Sequence, residues 1–131
     1  MNGGFSFGLV FDTIRIMLRW ISLGGLGILF IVNAMAFRAG FYEKGKEKLW
    51  FGRLMHFLGG FFTAMLWSGL TSSPVFIVGL TLLIGLVWEA GEFLFGLYKP
   101  RYMPELRDTA EDLVLDVAGA LGWTVAYFLI R

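Results

Sequence analysis

The chain contains no cysteine. Disulfides and thiolate metal sites are therefore excluded, and the redox compartment leaves no trace in the composition. Charge is scarce as well. Only 16% of residues are Asp, Glu, Lys or Arg, against about 25% in soluble domains. The formal net charge is +1, and no basic run is dense enough for nucleic acid, so a polyanionic partner is not expected. There are three prolines and one histidine. The opening MNGGFSFGLVFD has neither a basic n-region nor an A-x-A cleavage site, so no removable signal peptide is expected.

What the chain does have is apolar bulk. Of its 131 residues, 57% are hydrophobic and 18% aromatic, with 18 glycines. That composition suits a bilayer as solvent, and the length fits one domain over residues 1–131. Crossing the hydrocarbon core takes about 20 mainly apolar residues. Four segments qualify: Ile16 to Phe37, Leu49 to Leu70, Pro74 to Tyr98 and Asp108 to Ile130. The predicted fold is therefore all-α, a polytopic bundle of four transmembrane helices. Ser73 before Pro74 reads as a helix start with a serine cap. Asp108-Thr109-Ala110-Glu111 reads as a capping box.

Basic residues set the orientation. The first connection holds Arg38, Lys44, Lys46 and Lys48, with Arg53 just inside the next span. The third holds Lys99, Arg101 and Arg107, and the second holds none. The positive-inside rule puts connections one and three in the cytoplasm and both termini outside. Arg15 and Arg19, at the start of the first span, oppose that reading.

Each segment carries one polar or small-residue stripe at helical spacing. His56, Gly59, Gly60, Thr63 and Trp67 align in the second, and Gly85, Glu89, Glu92 and Gly96 in the third. Asp108, Asp112, Asp116, Gly119 and Trp123 align in the fourth, while Arg19, Ser22, Gly25 and Asn33 share a broad face of the first. Leu, Ile, Val and Phe fill the remaining faces, so the stripes should turn inward, where glycines permit close approach. Because successive helices alternate direction, His56 and the acids all fall toward the cytoplasmic side. Asp116 lies about 12 Å deeper than Asp108 at 1.5 Å per residue.

Carboxylates in a membrane cost roughly 2.5–3.5 kcal/mol each on insertion scales. A group of them needs protons, arginines or a cation. Each residue also has an ordinary reading. Asp108 and Glu111 suit helix capping, and Asp112 suits the helix dipole. Glu89 and Glu92 have Arg101 or Arg107 as alternative partners, and His56 can simply hydrogen-bond across helices. Tyr42, Trp50, Tyr98 and Tyr102 suit an interfacial belt. The GGLG at 24–27 has no strand before it and reads as close helix packing. Asp116 has no ordinary reading. Carboxylates with one imidazole and no sulfur suit Mg²⁺, Mn²⁺, Ca²⁺, Fe or Zn²⁺. The expected metal set is His56, Glu89, Glu92, Asp112 and Asp116. His56 is expected at its rim and Asp108 nearer the water.

The segments R-x-x-H-F-x-x-G (Arg53 to Gly60), W-E-x-x-E (Trp88 to Glu92) and D-T-x-x-D-L-x-x-D-x-x-G (Asp108 to Gly119) resemble the YjdF family of small bacterial membrane proteins. More loosely, the chain is similar to the VanZ-like family, linked by name to glycopeptide resistance. The resemblance covers the last three spans. It implies a multi-pass helical protein of the bacterial cytoplasmic membrane with a shared polar site, and supplies no activity. Three functions follow as expectations. The first is an intramembrane acidic site binding a cation or a lipid head group, with metal-dependent chemistry on an envelope lipid as its use. The second is an accessory subunit of a larger membrane complex. The third is a small proton- or cation-coupled transporter, for which so short a chain would need to form a homo-oligomer.

Overall fold

A computed structural model describes residues 7–43 and 49–130. Every regular element among them is helical. In chain order these are α1 (Phe7–Arg38), α2 (Leu49–Ser68), α3 (Pro74–Tyr98), a single 3₁₀ turn (Pro100–Tyr102) and α4 (Leu106–Ile130). The stretch of α1 from Gly8 to Arg38, α3 and α4 are each long and apolar enough to cross a membrane. α2, at 20 residues, falls short of that measure because Arg53 and His56 interrupt its apolar run. Lys44, Lys46 and Lys48, on which the orientation partly rests, lie outside the described residues, as do the first six residues of the opening segment.

The helix ends follow local chemistry. α1 stops at Gly40, whose φ of +78° lies in the region open to glycine. Gly40 N–H donates to Phe37 C=O at 3.1 Å and Phe41 N–H to Ala36 C=O at 3.0 Å. This pair of bonds, six-to-one and five-to-two, closes the helix and turns the chain back on itself. α3 begins as expected with Ser73 at the cap and Pro74 in the first turn, but the serine side chain makes no capping bond. Instead Thr71 Oγ1 accepts from Ser73 N–H at 3.2 Å.

The start of α4 corrects the capping box. The helix begins at Leu106, and Thr109 N–H already donates to Glu105 C=O at 3.1 Å. Asp108 therefore sits within the first turn rather than at the cap. Glu111 is turned to cations, accepting from Arg53 at 2.6 Å and from Arg107 at 3.0 Å. α1 starts at Phe7, well before Ile16, because Asp12 and Arg15 are tolerated on a helix extending past the apolar stretch.

α2 lies at the centre and packs most extensively along α4. Glycine decides how closely. A Cβ on Gly60 would overlap the Asp116 backbone, and one on Gly119 would overlap the Phe57 carbonyl. The two backbones thus touch where the polar stripes cross. Toward the far end the core is apolar, with Ala64, Met65, Ile77, Ala120, Trp123 and Tyr127 buried. A polar chain links helices there: Trp123 Nε1 donates to Ser68 Oγ at 2.9 Å, and Ser68 donates to Met65 C=O at 2.7 Å. Outward positions such as Val75, Val87 and Leu129 are more than half exposed, as lipid-facing residues should be.

α1 stands apart. It packs on α2, with Gly25 against the Phe62 ring and Ser22 buried. Arg19 donates twice to Gly69 C=O, at 3.0 and 2.7 Å, and Arg15 donates to Ser72 Oγ at 2.8 Å. Both arginines thus tie α1 to the α2–α3 turn, giving that turn's polar atoms partners from another helix. No Cα of α1 comes within 8 Å of one in α3 or α4. A crevice separates α1 from α3, narrowed at one end by Phe37, whose ring meets Phe95 at 5.5 Å and Tyr102 at 4.7 Å.

Candidate metal centre

Three helices meet at the polar crossing. α2 brings His56, α3 brings Glu89, and α4 brings Asp112 and Asp116. His56 Nε2 lies 3.5 Å from Asp112 Oδ2 and 3.8 Å from Glu89 Oε1. On the other side of the ring, Nδ1 lies 3.4 Å from Asp116 Oδ1. The side chains are enclosed: His56 is 11% exposed, Glu89 5% and Asp116 9%, with Asp112 more open at 20%.

The glycines in the stripes make this possible. Without a Cβ at Gly60, α4 reaches α2 at Asp116. Without one at Gly85, the Asp116 carboxylate fits against α3, since a Cβ there would lie 2.6 Å from Oδ2.

Glu89 is the anomaly. Among the described residues neither of its buried oxygens has a hydrogen-bond partner. Thr109 on α4 approaches it without completing a bond. A buried carboxylate in this state loses its hydration with little in return. An imidazolium at His56 does not close the gap, because its contacts of 3.4 to 3.8 Å exceed the roughly 2.7–2.9 Å of a charge-assisted hydrogen bond.

The spacing does fit ligands around an ion. Donor atoms of His56, Glu89 and Asp112 all lie within 4.8 Å of one another. Two donors bound tetrahedrally to an ion at about 2.1 Å stand about 3.4 Å apart, close to the 3.5 and 3.8 Å from Nε2. With Nε2 facing the other donors, Nδ1 facing Asp116 is the arrangement in which a second carboxylate fixes the tautomer and plane of a ligating histidine.

The expected residues thus divide. His56, Glu89 and Asp112 come together, and Asp116 joins them through the far side of the imidazole. His56 lies at the centre rather than at the rim, because α2 is the central helix and its stripe faces both acidic helices. Glu92 is half-buried beside the cluster, and its Oε1 accepts from Trp88 Nε1 at 2.7 Å. Asp108 is exposed, nearer the loop end, as expected.

Of the four aromatic residues expected at the interface, Trp50 and Tyr98 are exposed, whereas Tyr42 and Tyr102 are half-buried. The Tyr42 hydroxyl donates to Asn33 Oδ1. Burial first, then the negative charges of Glu92 and Asp112, raise the Tyr42 hydroxyl well above the usual tyrosine range. Asn33 on the polar face of α1 was the available signal, but nothing in the sequence named its partner.

Beside the cluster, the crevice between α1 and α3 widens into a cavity of about 900 Å³, whose wall includes His56, Glu92, Asp108 and Asp112. A second cavity of about 380 Å³ continues deeper past Gly59 and Thr81, sharing His56, Tyr42 and Glu92 with the first. No family model, curated protein or solved structure matches the chain.

Proposed function

We propose that this chain is a four-span protein of the bacterial cytoplasmic membrane whose second, third and fourth helices hold a divalent cation beside a lipid-accessible cavity. The observation that carries the reading is the convergence of His56, Glu89 and Asp112 donor atoms from three helices within 4.8 Å. The burial of Glu89 without a hydrogen-bond partner among the described residues supports it. One imidazole and two carboxylates suit Zn²⁺, Mn²⁺ or Fe. Mg²⁺ or Ca²⁺ would draw further oxygens from water or a ligand. Three protein donors leave coordination positions open, as catalytic sites do. The use we infer is metal-assisted chemistry on an envelope lipid.

The fourth span in this reading is α2. Its 20 residues extend about 30 Å, the thickness of a hydrocarbon core. Arg53 lies in its first turns, where a long side chain reaches the interface, and His56 faces the bundle. The ends bearing Arg38, Arg53, Arg101 and Arg107 would lie in the cytoplasm. The resemblance to the YjdF and VanZ-like families belongs to the same proposal.

The test is metal analysis of the protein purified in mild detergent. Wild type should carry or take up one divalent ion per chain. Glu89→Gln with Asp112→Asn should not, and Glu92→Gln should behave as wild type. A correctly inserted wild-type protein that binds no ion on titration overturns the reading and leaves a packing subunit, whose partner proteins would then co-purify.

A further inference from the structure

We infer that the crevice between α1 and α3 admits a lipid with a phosphate head group, and that the phosphate is held through the cation rather than by the protein directly. The inference rests on the cation reading above and adds the ligand class and its route.

The route follows from the packing. α1 packs its backbone on α2 and meets α3 through the Phe37 ring at one end, so between those contacts its α3-facing side borders the cavity. The crevice walls are apolar side chains that also face outward: Phe30 is 66% exposed and Val87 62%. A water-soluble ligand gains nothing from such walls, whereas an acyl or prenyl chain moves along them from the bilayer with no loss of apolar contact. The deeper cavity prolongs the path past Gly59, where a Cβ would meet nothing within 4 Å.

The head-group chemistry follows from the order of charges at the loop end. Arg38, Arg53 and Arg101 line the wider cavity, and Glu92, Asp108 and Asp112 line it too. Arg53 is already engaged by Glu111 at 2.6 Å and Arg101 lies 3.7 Å from Glu43. The acids would repel a phosphate from a cation-free cavity. A divalent ion shared between carboxylate and phosphate oxygens reverses that, a role hard cations take with one or two carboxylates and a substrate phosphate. The arginines can then add charge at the mouth. A phosphate lipid should therefore bind only when the ion is present, which a lipid held by apolar contact alone would not require.

The experiment uses the full chain in detergent, tritiated farnesyl phosphate as probe, and farnesol and inorganic phosphate as competitors. Mn²⁺ binding is read separately by electron paramagnetic resonance without lipid. Expected are saturable probe binding with Mn²⁺, at least tenfold weaker binding in chelator, and poor competition by either farnesol or inorganic phosphate. Gly91→Trp should abolish probe binding and keep Mn²⁺, since a Cβ at Gly91 meets nothing within 4 Å and the side chain would fill the cavity. Ala34→Trp does the same from the α1 wall, should the first variant fold poorly. Probe binding indifferent to chelator, matched by farnesol, or unchanged in a tryptophan variant that still binds Mn²⁺ overturns the inference alone. Absence of Mn²⁺ binding in wild type overturns the cation reading, and this inference with it.

Discussion

His56 turns Nδ1 to Asp116 at 3.4 Å and thereby leaves Nε2 facing Glu89 and Asp112. One imidazole thus separates the carboxylates into a pair that shares its open nitrogen and a third that sets its orientation. In the proposed cation site Asp116, the acid for which the sequence offers no ordinary use, would be a positioning residue.

Asp116→Asn should weaken cation affinity by roughly 10- to 100-fold, the usual effect of losing an outer carboxylate. Asp112→Asn should abolish binding. Metal titration of the purified variants distinguishes the two. Equal loss of affinity in both variants would make Asp116 a ligand in its own right.

The α2–α4 contact should be intolerant of a single methyl group. Gly60→Ala and Gly119→Ala each place a Cβ on a neighbouring backbone, where no side chain can move aside. Each should lower stability by about 1–3 kcal/mol or more. Gly122→Ala, whose Cβ meets nothing within 4 Å, should be neutral or slightly stabilising. Thermal unfolding in detergent ranks the three, and an equal tolerance would refute the close crossing.

Tyr42 should give the fold a dependence on alkaline pH. Its hydroxyl is raised above the ordinary value of 10.0 by burial and by Glu92 and Asp112. The folded chain therefore keeps this proton where the unfolded chain has lost it. Stability is full below about pH 10 and falls as pH rises from there toward the folded value. Tyr42→Phe should flatten that loss while costing about 1 kcal/mol at neutral pH for the missing bond to Asn33. Unfolding temperatures of both proteins at several alkaline pH values provide the check.

Orientation is testable because the chain lacks cysteine. A cysteine replacing Ser72 should be labelled from outside intact cells, and one replacing Lys46 should be spared. Arg15 and Arg19, which oppose this orientation by charge counting, are held by Ser72 and Gly69 at the α2–α3 turn. The reverse labelling pattern would invert the topology and leave the helices unchanged.

The apolar runs made the helices legible, and Pro74 and Tyr98 bound α3 in both sequence and structure. The stripes named the residues that meet, because in a bilayer small and polar groups have only the interior to go to. Their individual orientations were less legible. Glu89 and Glu92 share a stripe, but three residues of helix leave them about 60° apart. That angle sends Glu92 to Trp88 on its own helix while Glu89 is sealed between helices. The capping box misled because Asp-Thr-Ala-Glu has the same pattern at a cap as one turn inside. What places Glu111 is the distant Arg53, 58 residues away.

The order of synthesis gives the central crossing a further meaning. In the four-span reading, α2 and α3 emerge from the ribosome before α4 and would carry His56 and Glu89 into the bilayer while the carboxylates of α4 are still untranslated. A nascent chain stopped after α3 would hold Glu89 with His56 beside it but without α4 to enclose it, and a glycine seam facing tails instead of backbone. Arrival of α4 then ends two hazards together, since the contact that closes the glycine seam also delivers Asp112 and Asp116. Docking of α4 and completion of the polar centre are one event.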